Sequence, residues 1–206
     1  MMHLLGAALI GYLLGSIPSG VVVARLWGGY DVLGTGSGHT GGTNVARSTG
    51  SMWAGLFAGL LDVLWSVLAV LIARRLFDSP WAPALAGSGA VIGHNWSVYI
   101  GWHGGVGLSS LLGLLLAWSP FNGLWLAALF VAVWLGLRRL LKHDARGTLV
   151  ALPVLPLAAL IGLGPSPMVA GLAIGAAAAI ARTWLDWHRQ YEPGEGLLAQ
   201  VGIEDA

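Results

Sequence analysis

Apolar residues run along this chain in long blocks, not in the one-sided patterns of a water-soluble fold. The blocks cover Leu4–Leu26, Met52–Ala73, Trp81–Ile100, Gly107–Trp118, Phe121–Leu137, Thr148–Leu163 and Met168–Trp184. Roughly 20 apolar residues in a helix cross the hydrocarbon core of a bilayer. Backbone in lipid has to satisfy its own hydrogen bonds, so the blocks predict helices. Asp78-Ser79-Pro80, Ser119-Pro120 and Gly164-Pro165-Ser166-Pro167 punctuate them as turn signals. Trp27, Trp81, Trp102, Trp118 and Trp184 fall near predicted span ends, where a membrane interface favours tryptophan. The block Gly107–Trp118 is short. At about 1.5 Å per residue it spans the core only if it begins earlier or lies in thinned bilayer. Counting it gives seven spans; making it re-entrant gives six.

Composition supports this pattern. Of 206 residues, 56% are hydrophobic and 9% charged, against about 25% charged in a soluble domain. Mean hydropathy is +0.77. The fold class predicted is all-α: a polytopic transmembrane helical bundle, residues 1–206 forming one integral membrane domain with no soluble module at either end. The opening MMHLLGAALIGYLLG lacks a basic region and a cleavage site, so it reads as a retained first span. There is no cysteine, which excludes disulfides, thiolate metal sites and cysteine nucleophiles. A net charge of +1 excludes a nucleic-acid surface.

Charge placement does not decide between six and seven spans. Seven spans with the N-terminus outside put Arg25, Arg47, Arg138, Arg139, Lys142, Arg146, Arg182 and Arg189 inside, and Arg74 and Arg75 outside. Six spans with the N-terminus inside give the same eight-to-two split, with Arg25 and Arg47 as the outside pair. Both obey the positive-inside rule.

Candidate chemistry lies in two glycine-rich segments. The first runs from Gly34 through Gly36, Ser37, Gly38, His39, Gly41, Gly42, Thr43 and Asn44, with Arg47 after it. The second runs from Gly101 through His103, Gly104, Gly105 and Gly107, followed by Ser109 and Ser110. Successive glycines beside a helix start let backbone N–H groups converge into an anion nest, and the helix dipole adds to that field. Hydroxyl and amide side chains supply further donors, and Arg47 a forked cation. The alternative reading is an ordinary interhelical loop with glycine at tight turns. Gly15-Ser16-Ile17-Pro18-Ser19-Gly20 breaks the first block, which lipid tolerates only where that backbone faces protein or a polar cavity. Asp62 lies mid-span and His94 closes the third block. Each is a functional candidate, set against a structural hydrogen bond for Asp62 and a structural interfacial histidine for His94.

GSIPSG at 15–20, GTGSGHTGGTNVAR at 34–47, the LLDV around Asp62 and GHNWSVYIGWHGGVG at 93–107, in this order, resemble the bacterial acyl-phosphate:glycerol-3-phosphate acyltransferase family. The resemblance covers the first 110 residues through motifs and the rest through hydropathy. It implies a seven-span, metal-independent enzyme of the cytoplasmic (inner) membrane, N-terminus outside and needing no cofactor. Both glycine segments would face the cytoplasm. Its partners would be acyl-phosphate, glycerol 3-phosphate and membrane lipid, and its product lysophosphatidic acid. By the same resemblance Ser37, Arg47 and His94 are the candidate catalytic residues. Gly36, Gly38, Thr43, Asn44, His103, Gly104, Gly105, Gly107 and Arg182 are the candidate substrate- and phosphate-binding residues.

The sequence departs from the family pattern at charged positions. WHGGVG stands where the family carries FKGGKG, so His103 and Val106 replace both lysines. His39 replaces an asparagine, and Thr183 and Asp186 occupy the places of a histidine and an asparagine. A charge-assisted bond contributes roughly 1.5–3 kcal/mol, so an uncompensated site would bind phosphate about ten- to a hundredfold more weakly. Three functions follow: an acyltransferase with an altered site, one with a different polar acceptor, or a non-catalytic membrane protein retaining an anion site. A transporter has less support, since the two halves show no internal repeat.

Overall fold

The computed structural model describes residues 1–189. Among them, ten α-helices form the whole regular structure apart from one short turn of 3-10 helix. They are α1 (Met2–Gly15), α2 (Ser19–Gly28), α3 (Gly42–Thr49), α4 (Met52–Leu76), α5 (Trp81–Asn95), α6 (Leu108–Trp118), α7 (Pro120–Leu141), α8 (Asp144–Ala151), α9 (Val154–Leu163) and α10 (Pro167–Trp184). Two of the punctuation signals are helix starts. Ser119 caps α7 and Ser166 caps α10 through side-chain oxygens, each with proline in the first turn, where its missing N–H costs nothing.

Five continuous or nearly continuous helical runs are long and apolar enough to cross a membrane: Met2–Gly28, Met52–Leu76, Pro120–Leu141, Asp144–Leu163 and Pro167–Trp184. Helix α6 is shorter. The third block departs from its predicted extent, because α5 stops at Asn95 instead of Ile100. Trp96 leaves the helical region at φ −134° and ψ 75°, and Ser97 then caps a separate 3-10 turn over Val98–Ile100, which Gly101 ends in a left-handed conformation at φ 63°. The first block is broken at Ser16–Pro18, as GSIPSG foretold. The freed Ser16 carbonyl accepts a hydrogen bond from the Ser97 hydroxyl, both residues buried, so the break faces protein and not lipid.

Contacts define two ends of the bundle. At one end the Phe77 ring lies beside Gly6, Arg74 donates to the Ala117 carbonyl, and Trp125 packs near Gly162. At the other, the Thr40 N–H donates to Gly104, and Arg189 donates to Gly36 and Ser37. Both glycine segments and the starts of α3, α6 and α8 therefore lie at this second end. Leu5, Leu9, Leu60, Leu64, Leu124, Val131, Leu157 and Ile161 point outward from the bundle.

Small residues set the closest approaches. Gly11 and Gly15 of α1 press on the Ala86 and Ala90 backbone of α5, while Gly89 and Gly93 of α5 press on the Ala8 and Tyr12 carbonyls of α1. Helices in lipid lack a hydrophobic drive to associate, and glycines four residues apart let van der Waals contact substitute for it. Ala7, Ala69, Ala73, Ala82, Ala86 and Ala90 fill the seam with α4. Larger side chains, including Leu111, Leu114, Leu126, Leu152 and Leu172, build the core of the C-terminal half.

Any side chain at Gly15 meets the Ala90 backbone, which has no rotamer to move. Gly15→Leu should cost at least about 1–3 kcal/mol and lower the unfolding midpoint of the purified protein. Gly136→Leu, where an added Cβ has open space, should leave it unchanged. Equal midpoints for the two variants would contradict this packing.

Candidate active site

The first glycine segment is folded around Asn44. Its side-chain Nδ2 lies 2.9–3.0 Å from the carbonyls of Val32, Thr35 and His39, which share its two N–H donors, and its Oδ1 accepts from the Ser37 N–H at 2.9 Å. A buried amide with its donors and acceptor engaged holds a loop that has no ladder of its own. Gly36 and Gly38 supply the left-handed turns, at φ 56° and 67°. At Gly36 a side chain would also strike Asn44 and Arg47, so glycine lets the Arg47 stem lie over the loop.

The second segment wraps the end of α5. The Gly105 N–H donates to the His94 carbonyl at 3.1 Å, and a side chain at Gly105 would collide with His94 Nε2. Gly104 lies against the His94 and Asn95 carbonyls in the same way. Behind the imidazole, Asp62 Oδ1 is 3.5 Å from His94 Nδ1, with both side chains buried. The mid-span carboxylate thus faces the bundle interior and backs a histidine.

One cavity of about 210 Å³ joins the segments. Ser37, His39, Thr43, Asn44, Arg47, His94, Gly107, Ser109, Asp144, Thr148 and Asp186 line it, with Val106, Leu108, Trp134 and Ala145 as its apolar wall. Three helices begin here: α3 through Gly42 and Thr43, α6 through Leu108 and Ser109, α8 through Asp144 and Ala145. The first turn of a helix has N–H groups without intrahelical partners, and it carries the positive end of the dipole. Three such ends around one cavity, with Arg47 beside them, make an anion-binding field. Asp144 is neutralised by the buried Arg138, which also stacks on Trp134 at 5.4 Å. Trp134 in turn donates to the Thr148 hydroxyl at 2.9 Å.

The chain after α10 closes the first loop. Asp186 Oδ2 is 2.6 Å from His39 Nε2, and Arg182 Nη2 is 3.0 Å from His39 Nδ1. Arg189 donates to the Gly36 and Ser37 carbonyls at 2.8 and 3.1 Å. Burial pushes the Asp186 carboxyl up. Its hydrogen bond to His39 and the charges of His39, Arg182 and Arg189 outweigh that and hold it below its ordinary value. At the start of α8, burial and the nearby Arg146 push His143 down. Among the described residues, no three His, Asp or Glu side chains group as metal ligands would.

Of the residues singled out by sequence, Ser37, Thr43, Asn44, Arg47, His94 and Gly107 meet at the cavity. Gly36 and Gly38 shape the first loop from behind, and Gly104 and Gly105 pack on the end of α5. His103 is exposed and outside the lining, its Nδ1 3.1 Å from the Ile100 carbonyl. Arg182 is outside the lining too and reaches His39 instead. Ser109, named with the second glycine segment, lines the cavity too, whereas sequence reasoning missed Trp134, Asp144 and Thr148 as cavity residues and took Asp186 only as a departure. A charged residue in the short break at 142–144 was the one available signal, for Asp144. Thr183, at the position of the other departure, is buried and donates back to Ala179.

Comparison with known proteins identifies this arrangement. A family model described as glycerol-3-phosphate acyltransferase matches residues 5–191, well beyond the motif-bearing first half. The glycerol-3-phosphate acyltransferase of Synechococcus sp. (strain CC9902) is 41% identical over 148 residues, covering 72% of this chain and 73% of the relative. That of Rubrobacter xylanophilus is 38% identical over 174 residues, 84% of each chain. The crystal structure of PlsY (YgiH), an integral membrane glycerol 3-phosphate acyltransferase, in its glycerol 3-phosphate form is 31% identical, covers 90% of both chains and superposes with a TM-score of 0.75. Its lysophosphatidic acid form gives 30% identity and the same TM-score over 97% of this chain.

Two consequences can be measured. Asn44→Ala should raise amide hydrogen exchange of residues 33–40 at least about tenfold, the equivalent of 1.4 kcal/mol, without touching α10. Asp186, with its carboxyl held low in the fold, contributes stability above its ordinary value of 3.8 and loses it as pH falls through the lowered value. Wild type should therefore lose more stability on acidification below about pH 4 than Asp186→Asn does. Parallel acid-melting curves would contradict the assignment.

Proposed function

The chain belongs to the glycerol-3-phosphate acyltransferase family, and from that premise we propose how this polytopic helical membrane enzyme acylates glycerol 3-phosphate in phospholipid synthesis. Its donor is an acyl-phosphate and its product lysophosphatidic acid. The observation that carries the reading is the convergence of the α3, α6 and α8 N-termini and Arg47 on one cavity between the two glycine segments. An enzyme that joins two phosphate-bearing substrates needs that field, and fixed dipoles supply it without reorganisation during reaction.

The phosphate of glycerol 3-phosphate rests at the start of α6, on the Gly107–Ser109 side. The acyl-phosphate rests on the Ser37–Thr43 side under Arg47. Its tail leaves past Leu108, Trp134 and Ala145, since 210 Å³ holds head groups and not a long chain. The primary hydroxyl of glycerol 3-phosphate attacks the acyl carbonyl carbon. A carbon–oxygen ester bond forms, the bond to the phosphate oxygen breaks, and the departing phosphate takes the hydroxyl proton. Ser37 and the α3 N–H groups stabilise the developing oxyanion, and His94, backed by Asp62, orients the acceptor. Much of the rate then comes from holding both substrates in line.

We read seven spans, with α5 and α6 as short crossings; the alternation of the chain between the two ends of the bundle supports that count. Eight of the ten Lys and Arg residues belong to the cavity end or to segments leading into it, and Arg74 and Arg75 to the opposite end. The positive-inside rule then turns the cavity toward the cytoplasm and the N-terminus outward. The enzyme resides in the cytoplasmic membrane.

Purified protein given acyl-phosphate and glycerol 3-phosphate should release inorganic phosphate and lysophosphatidic acid in equal amounts. Arg47→Ala should reduce kcat/KM about ten- to a hundredfold, as expected for losing a charge-assisted bond of roughly 1.5–3 kcal/mol. Binding of both substrates without turnover would instead identify a non-catalytic member of the family.

A further inference from the structure

His39 lines the cavity, yet both of its ring nitrogens are engaged on the protein side. Nε2 lies 2.6 Å from an Asp186 oxygen, and an ionised carboxylate can only accept, so Nε2 carries a proton. Nδ1 has two neighbours of opposite kind. Arg182 Nη2, a donor, is 3.0 Å away, and the Gly104 carbonyl oxygen, an acceptor, is 3.3 Å away. A single nitrogen cannot serve both. A neutral ring takes the Arg182 hydrogen bond on its Nδ1 lone pair. An imidazolium donates from Nδ1 to Gly104, and the guanidinium has to leave it. The site therefore contains two complete hydrogen-bond arrangements that differ by one proton.

The two arrangements also differ in charge. With His39 neutral, the Asp186–His39–Arg182 group sums to zero. With His39 protonated it carries one positive charge and a displaced guanidinium. A phosphate dianion entering the cavity favours the second. We propose that His39 is a proton-linked anion-binding residue: a phosphate-bearing substrate binds with uptake of a proton at His39, and this releases Arg182 to the anion. This rests on the acyltransferase reading of the site, and it supplies the cation that the loop WHGGVG lacks. The other charged and titratable groups around the ring are Arg189, Arg47 of α3, His94 of α5, and His143 and Asp144 at the start of α8.

Calorimetric titration in lipid nanodiscs tests it, using two buffers of different ionisation enthalpy. Glycerol 3-phosphate and a non-reactive acyl-phosphonate are titrated separately at about pH 8, where a phosphate ester, with its second pKa near 6, is already a dianion. Wild type should take up up to about one proton with the substrate that sits beside His39, and that KM should rise toward about tenfold per pH unit on the alkaline side. His39→Asn should bind without proton uptake and with a KM flat across the same range. His39→Gln serves if His39→Asn does not fold. Binding by wild type without proton uptake, or uptake unchanged in both variants (which would assign it to His94), overturns the proposal while leaving the acyltransferase reading intact. Absence of binding and turnover with both substrates overturns that reading and the proposal with it.

Discussion

Helices α1 and α5 touch backbone to backbone where Gly11 and Gly15 meet Gly89 and Gly93, and the height at which α5 ends follows from that contact. Four residues without side chains leave no room for either helix to slide or rotate. Gly93 is followed directly by His94 and Asn95, so the same packing delivers the imidazole to the cavity floor, in front of Asp62. The second glycine segment then has a fixed support to wrap. Gly104 and Gly105 pass so close to His94 and Asn95 that neither tolerates a Cβ. Close packing of small residues, which lipid requires for helix association, thus also fixes the geometry of the chemistry.

Burial constrains the site in a second way. Buried backbone that is not helical has to find hydrogen-bond partners within the protein. In the first segment Asn44 provides them, gathering three carbonyls and one N–H onto a single amide. Arg189 takes two further carbonyls from outside. The loop is therefore rigid without being regular, and no side chain caps the starts of α3 and α6 beside it, whereas His143 caps the start of α8. The starts of three helices and Arg47 face the cavity even though its loop carries no lysine. The acidic residues in its wall are answered locally, Asp144 by Arg138 and Asp186 by His39 and Arg182.

Much of this was legible along the chain. Block lengths gave the helices, because the bilayer imposes a length and a composition on each span. Ser-Pro pairs marked the starts of α7 and α10, because capping and proline geometry are local. The break at GSIPSG announced buried backbone, which the Ser97–Ser16 hydrogen bond now accounts for. Two glycine segments in order, with Ser37 and Arg47, pointed to phosphate chemistry and to the family. The apolar block runs on to Ile100 while α5 ends at Asn95, since hydropathy does not reveal that the backbone leaves helical geometry at Trp96.

What the sequence by itself determined is the class of molecule and its family: a helical bundle of a membrane, with the motifs of a glycerol-3-phosphate acyltransferase. Tertiary structure alone decided which residues meet. His103 and Arg182 were matched by sequence to one phosphate site, and folding places one beside Ile100 and the other on His39. His39 and Asp186, two separate departures along the chain, became one pair at 2.6 Å. Asn44 changed from a phosphate contact to the residue that holds the loop. The physical reason is range. Hydropathy, capping and turn chemistry act over a few residues and can be read from them, whereas a side chain's partner across 147 positions depends on how whole helices pack.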